Sequence, residues 1–125
     1  MKNPVRVVIV DDHAVVRAGL RAMLAPPDFE IVGEASDGAA AVEAALHFEP
    51  DVVVMDFELP VLDALTATRV ICSARPKTRI VLLTTYEEPR AALRARAAGA
   101  VACVPKGTSA TVFRNQVSTA AGRLP

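Results

Sequence analysis

The chain has 125 residues, of which 52% are hydrophobic and 22% are charged, a composition typical of one globular domain with its own apolar core. Its 14 basic and 14 acidic residues cancel, so no positive field favours nucleic acid or anionic lipid as a ligand. No apolar run approaches the ~20 residues of a membrane span, and the first run ends in two aspartates, unlike a signal peptide. We therefore expect one cytoplasmic domain over residues 1–125, without membrane contact.

The first half of the chain predicts three strands and two helices. Residues 5–10 form an apolar, mostly β-branched run, which is typical of a strand buried in a parallel sheet. The first helix stops before Pro26, and residues 30–35 alternate like an edge strand. A second helix stops at Pro50, and residues 52–55 form the third strand. The expected packing residues are Val16, Leu20, Met23 and Leu24 on the first helix, and Val42, Ala45, Leu46 and Glu49 on the second.

The second half continues the alternation of strand and helix. Strands are predicted at residues 79–84 and 101–105, a fourth helix runs from Pro89 to Gly99, and Ser109 is the expected N-cap of a fifth helix. The resulting (βα)5 order predicts an α/β, doubly wound parallel sheet with helices on both faces. The expected packing residues are Leu65, Thr68, Ile71 and Cys72 on the third helix, and Val112, Phe113, Val117 and Ala120 on the fifth.

Acidic residues follow two of the predicted strands. Asp11 and Asp12 come directly after residues 5–10, and Asp56 comes directly after residues 52–55. In open α/β sheets, ligands bind at the carboxyl ends of the strands, near the point where strand order reverses. Carboxylates gathered there would repel one another unless a hard divalent cation lies among them. Taken alone, Asp11-Asp12 fits a helix N-terminus and Asp56 fits a helix cap equally well.

Two further polar residues end the later strands. Thr84 ends the strand at 79–84, and Lys106 follows the strand at 101–105. Acid, hydroxyl and amine at one edge suit phosphoryl transfer onto a carboxylate, because aspartate can act as the covalent acceptor and such transfers depend on positioning and charge. Neither G-x-x-x-x-G-K nor G-x-G-x-x-G is present, which argues against a nucleotide cradle. Cys72 and Cys103 lack a C-x-x-C motif, and we expect buried reduced thiols.

Four short motifs together resemble the receiver domain of bacterial two-component response regulators. They are V-D-D-H (10–13), M-D-F-E-L-P (55–60), L-L-T-T (82–85) and V-P-K (104–106), in the order and approximate spacing of that family. The resemblance covers essentially the whole chain. Residues 10–20 (V-D-D-H-x-x-V-R-x-G-L) and 32–38 (V-G-E-A-S-D-G) are similar to the subfamily whose receivers precede a helix-turn-helix DNA-binding domain of the LuxR type.

The resemblance implies a role for each matching residue. Asp56 would accept a phosphoryl group from the phosphohistidine of a sensor histidine kinase, and Thr84 and Lys106 would contact the phosphoryl oxygens. Mg²⁺ would be the cofactor, bound directly by Asp12 and partly through water by Asp11. The implied metal ligands are Asp11, Asp12, Asp56 and position Glu58, where the family uses the backbone carbonyl rather than the side chain.

The resemblance also implies the flavodoxin-like strand order 2-1-3-4-5 and a signalling domain rather than a metabolic enzyme. Phosphorylation adds ~1.5 to 2 negative charges, which would change the surface of the fourth helix, fifth strand and fifth helix. The expected consequences are a homodimer and a transcriptional output. DNA would be bound only through a C-terminal helix-turn-helix domain that this chain lacks, with residues 122–125 starting the linker to it.

The chain departs from the family pattern at several positions. Cys103 stands where an aromatic residue is common, three positions before the lysine, and Tyr86 is a candidate substitute. Ala64 replaces the glycine of P-x-M-D-G, which predicts a stiffer or differently turned loop. These departures leave room for a second hypothesis, a receiver-like scaffold that works without phosphorylation. The intact acidic pair, Asp56, Thr84 and Lys106 argue against it. A third is a Mg²⁺-dependent aspartyl-phosphate phosphatase of the haloacid-dehalogenase type, suggested by D-F-E at 56–58, although that family has its nucleophile on the first strand.

Overall fold

Five strands alternate with five helices in the computed structural model, which describes residues 3–85 and 89–123. This is the predicted (βα)5 order, and each strand lies within one residue of its predicted bounds. The elements are β1 (Val5–Val10), α1 (Ala14–Met23), β2 (Phe29–Ala35), α2 (Gly38–Phe48), β3 (Val52–Asp56), α3 (Ala64–Ala74), β4 (Arg79–Thr84), α4 (Pro89–Ala98), β5 (Ala102–Pro105) and α5 (Ala110–Ala120).

The five strands form one parallel sheet in the order β2-β1-β3-β4-β5. The prediction of a doubly wound, flavodoxin-like sheet is therefore confirmed, as is the edge position of β2. From β1 the chain first moves outward to β2 and then returns to β3 on the other side of β1. Strand order reverses at this point, so the crevice between the carboxyl ends of β1 and β3 is where this fold binds ligands.

Helices cover both faces of the sheet, which explains why the central strands read as continuous apolar runs. Successive strand residues point to opposite faces. On one face Ile9 and Val54 pack with Leu20 of α1 and Phe113 of α5. The other face is covered by α2, α3 and α4, whose contributions include Ala45, Ile71 and Ala95.

The packing face of α2 differs from the one predicted. Ala45 is buried as expected, but Leu46 is 40% exposed and Glu49 is exposed, while Ala41 and Ala44 pack on the sheet. Small side chains let this helix lie close to the strands, and a pattern weighted toward large apolar residues does not detect that face. Glu49 also leaves the helical repeat, because it is the C-cap with a left-handed φ of 48°.

The predicted boundaries of α5 agree with the structure, whereas one of its predicted packing residues does not. Ser109 is the N-cap, and its hydroxyl accepts a hydrogen bond of 3.3 Å from the Val112 amide. Phe113 and Val117 are buried, but Val112 is 47% exposed because it lies beside the cap rather than over the sheet. Among the described residues, none of the helices is long and apolar enough to cross a membrane.

Candidate functional site

The register of the sheet places Asp11 and Asp56 side by side. β1 and β3 are hydrogen-bonded neighbours, with Val10 opposite Met55. Asp11 and Asp56 each follow by one position, and adjacent strands lie about 4.8 Å apart. The Asp11 amide donates to the Ala35 carbonyl at 3.1 Å, so the sheet's hydrogen bonding continues past the end of β1 and holds this residue at the edge.

Lys106 reaches this pair from the far side of the sheet. Thr84 lies opposite Pro105, and the Lys106 amide donates to the Thr84 carbonyl at 2.8 Å, which fixes the start of the lysine side chain. Its Nζ lies 3.0 Å from Asp11 Oδ2 and 3.2 Å from Asp56 Oδ2. The two carboxylate side chains are 0% and 7% exposed, and the lysine side chain is 23% exposed. One ammonium is thus shared by two buried carboxylates, which leaves a net negative charge when both are ionised.

The electrostatics follow from this three-residue arrangement. Burial acts to raise the pKa of Asp11, but hydrogen bonds from the His13 amide and from Lys106 outweigh it, so the pKa lies below the ordinary 3.8. Burial raises the pKa of Asp56 above 3.8, despite the Glu58 amide and Lys106. Burial acts to lower the pKa of Lys106, but its two carboxylate partners outweigh that effect and raise it above 10.5. The site therefore holds a charged lysine between an easily ionised and a less easily ionised acid.

Asp12 and His13 lie at the open side of the pocket. Their side chains are 37% and 68% exposed. The His13 amide donates to Asp11 Oδ1 at 2.9 Å, and His13 Nδ1 lies 3.2 Å from that oxygen and 3.0 Å from Asp12 Oδ1. Ligand atoms of Asp11, Asp12 and His13 all lie within 4.8 Å of one another. Carboxylate oxygens at the mouth of an acidic pocket are the donors that a hard divalent cation such as Mg²⁺ prefers.

The loop after β3 contacts the Asp56 carboxylate through a backbone amide. The Phe57 amide donates to the Leu83 carbonyl at 2.7 Å, and the Glu58 amide donates to Asp56 Oδ1 at 3.2 Å. The Glu58 side chain is exposed, so it is the backbone of this residue that lies at the carboxylate. Thr84 is buried at the end of β4, beside the residue that precedes Lys106 in the neighbouring strand.

The structure shows the surroundings of two residues that depart from the family pattern, Cys103 and Ala64. Cys103 and Cys72 are free thiols that are half-buried rather than buried, and burial raises the pKa of both, which makes them less reactive. Ala64 is the first residue of α3, and the positive φ in this loop, 70°, is at Val61 instead. Tyr86, the candidate substitute for the missing aromatic residue, lies outside the described residues.

One residue that supports the site was not identified from the sequence. Arg17 of α1 donates from Nη1 to the Asp11 carbonyl at 2.7 Å and from Nε to Glu34 at 3.2 Å. It ties the acidic pair to α1 and β2. Arg17 is the arginine of V-D-D-H-x-x-V-R-x-G-L at residues 10–20. Nothing in the sequence indicated that this helix residue would donate a hydrogen bond to the backbone of the pocket.

Comparisons with known proteins find similarity over most of the chain. The family described as the response regulator receiver domain matches residues 7–118. The transcriptional regulatory protein LiaR of Bacillus subtilis is 36% identical over 122 residues, which cover 97% of this chain and 58% of LiaR. Protein-glutamate methylesterase/protein-glutamine glutaminase 1 of Methanosarcina mazei is 42% identical over 107 residues, covering 84% of this chain and 30% of that protein.

A solved structure is similar over nearly the full chain. The signal receiver domain of NarL from Mycobacterium tuberculosis has a TM-score of 0.88 and 33% sequence identity, and the match covers 98% of this chain and 100% of that domain. By contrast, the chain spans only 58% and 30% of the lengths of the two curated relatives named above.

Proposed function

The chain belongs to the response regulator receiver family, and on that premise we propose that it is a phosphorylation-dependent signalling switch with Asp56 as the phosphoryl acceptor. The observation that carries the proposal is the placement of the Lys106 ammonium between the buried carboxylates of Asp11 and Asp56. A carboxylate held beside a cation at the ligand-binding edge of the sheet is suited to receive a charged group whose transfer depends on positioning and charge stabilisation.

In the proposed reaction, an Asp56 carboxylate oxygen attacks the phosphorus of a phosphohistidine on a sensor histidine kinase. An O–P bond forms and the N–P bond breaks, leaving an acyl phosphate on Asp56. The electron pair of the broken bond returns to the imidazole, which takes a proton from solvent. Lys106 would pair with a phosphoryl oxygen, and the Thr84 hydroxyl would donate to another. Self-catalysed transfer and hydrolysis would make this a switch rather than a metabolic enzyme.

The acidic pocket fits Mg²⁺ as the cofactor. It would be held by Asp11, Asp12, Asp56 and the backbone carbonyl of Glu58, since carboxylate and carbonyl oxygens are the hard donors that Mg²⁺ prefers. When bound, Mg²⁺ would supply positive charge to the phosphoryl oxygens. The chain's own residues would do the rest: Asp56 provides the attacking oxygen, and Lys106 offsets the charge that the acyl phosphate adds.

We infer a transcriptional output for the protein to which this domain belongs. LiaR is described as a transcriptional regulator, and the chain spans 58% of it, so DNA binding would lie in a separate helix-turn-helix domain after residues 122–125. Phosphorylation would promote homodimerisation of that protein. The methylesterase relative shows that a similar receiver also occurs with an enzymatic output, and its resemblance to this chain is confined to 30% of its length.

Acetyl phosphate with Mg²⁺, followed by intact mass measurement, tests the acceptor. We expect one phosphoryl group on the wild type and none on Asp56→Asn. Asp51→Asn is the matched control, because Asp51 is a half-buried aspartate at the amino end of the same strand. Equal labelling of Asp56→Asn would refute the assignment, and an unlabelled wild type would favour the scaffold hypothesis. Beryllofluoride with sedimentation analysis tests dimerisation, and turnover of p-nitrophenyl phosphate would favour a phosphatase.

A further inference from the structure

We propose that Gly38, the first residue of α2, is a positioning residue for the loop that follows Asp56, residues 57–63. The absence of a side chain at position 38 would set where this loop lies. The inference rests on the proposed function, because the loop would supply the Glu58 carbonyl to Mg²⁺ and its Glu58 amide donates to the Asp56 carboxylate. Gly38 itself touches neither of these groups through a side chain, so its effect would be indirect.

The contact between Gly38 and the loop is made by backbone on both sides. Gly38 is buried, and a Cβ at this position would lie 1.9 Å from the Leu62 carbonyl oxygen and 2.7 Å from its carbon. Real Cβ atoms essentially never approach closer than 3.0 Å, so any side chain here requires a shift of about 1 Å. The Leu62 carbonyl belongs to the main chain, so it cannot move away by a change of side-chain rotamer. The Gly38 amide also donates a long hydrogen bond, 3.4 Å, to the Pro60 carbonyl of the loop.

The part of the loop that rests on Gly38 is a strained turn. The Leu62 amide donates to the Pro60 carbonyl at 2.8 Å, and Val61 between them has a φ of 70°. This is a γ-turn with positive central φ, which is rare and strained, and a β-branched residue in that conformation is an outlier. Strain of this kind persists where the surroundings hold it in place, and it is concentrated at functional sites.

Both ends of the loop are tied down. Phe57 is held by its amide bond to the Leu83 carbonyl at 2.7 Å. At the other end, Asp63 caps α3, and its Oδ1 accepts from the Thr66 amide at 2.7 Å. Because the loop is short and held at both ends, the residues between Phe57 and Leu62 would have to move to accommodate a shift of Leu62 by about 1 Å. We expect it to reach Glu58 and the surroundings of Asp56.

Gly38→Ala tests the inference, with Gly19→Ala as the matched control. Gly19 lies in α1, and a Cβ there meets nothing within 4 Å. Misplacing a reacting group by about 1 Å can lower a rate by roughly 100-fold. We expect Gly38→Ala to phosphorylate from acetyl phosphate about 10- to 100-fold more slowly and to bind Mg²⁺ at least about 10-fold more weakly by calorimetry. Gly19→Ala should match the wild type in both measurements.

Two further measurements separate positioning from general damage to the fold. Adding Val61→Gly to Gly38→Ala frees the turn to move, and we expect it to restore most of the Mg²⁺ affinity. In Mg²⁺-free wild type, hydrogen exchange at the Gly38 amide, which donates to the Pro60 carbonyl of the loop, should be at least about 10-fold slower than at Gly107, a glycine whose surroundings are open.

The inference would be overturned by a folded Gly38→Ala with wild-type rate and Mg²⁺ affinity, or by a Gly38 amide that exchanges as fast as that of Gly107. If Gly38→Ala does not fold, the exchange measurement on the wild type tests whether the loop is held against α2. A wild type that takes no phosphoryl group would contradict the proposed function and not this inference. The exchange measurement would then still test the contact between Gly38 and the loop.

Discussion

Replacing Lys106 with methionine should destabilise the domain at neutral pH. Methionine keeps most of the aliphatic stem and removes the charge. The ammonium lies 3.0 Å from Asp11 and 3.2 Å from Asp56, so the variant would bury two carboxylates with no cation between them. Removing one partner of a buried ion pair costs about 3–5 kcal/mol. Because the lysine side chain is 23% exposed, water screens part of the interaction, and we expect about 2–3 kcal/mol.

The stability difference between wild type and Lys106→Met should depend on pH. Lys106 lowers the pKa of both aspartates, so without the ammonium both pKa values would rise relative to the wild type, and that of Asp56, which burial already raises above 3.8, would rise further. An acid whose pKa is raised by folding destabilises the fold at higher pH, and the penalty disappears as the pH falls through the raised pKa. The difference between wild type and variant should therefore shrink in acid. It should also shrink in strong alkali, since the wild-type lysine contribution is lost as the pH rises through its own raised pKa, above 10.5.

Urea unfolding followed by circular dichroism, with EDTA present, measures this difference. We expect a lower free energy of unfolding for Lys106→Met at about pH 7.5 and a smaller difference at about pH 4.5. The melting temperature should fall by roughly 6 to 12 °C. Lys77→Met is the control, because Lys77 is an exposed lysine that precedes β4, at the other end of the sheet. A difference under about 0.5 kcal/mol at neutral pH, or one that is unchanged in acid, would refute the electrostatic reasoning.

Two stability changes can be measured in the same way. Val61→Gly should raise the free energy of unfolding by about 0.5–1 kcal/mol, because glycine adopts a φ of 70° without the strain that valine carries; a loss of stability would mean that the turn is not strained. Gly33→Ala should lower it by about 1–3 kcal/mol, since the new Cβ would lie 2.6 Å from the Phe48 ring and force it aside; unchanged stability would show that the ring moves freely.

Local patterns were sufficient to predict the sheet and the residues at its edge. Runs such as residues 5–10 and 52–55 are apolar because both faces of their strands are covered, so their bounds could be read to within one residue. Asp11 and Asp56 could be assigned to one edge because Asp11 directly follows one parallel strand and Asp56 ends another, and such strands present the same end to the ligand crevice. These features depend on neighbours in the chain, and the resemblance to receivers supplied the strand order.

Contacts between distant segments could not be predicted in this way. Lys106 was expected at the same edge as Asp11, but the ion pair between these residues, 95 positions apart, was not. It depends on the register of four strands, and a one-residue slip would turn the side chains of a strand to the opposite face. The alanine face of α2 depends on how closely that helix approaches the sheet. The γ-turn at Val61 lies against Gly38 because two backbone segments meet there. Each of these features arises from packing in three dimensions, where the spacing of residues along the chain carries no information about which segments touch.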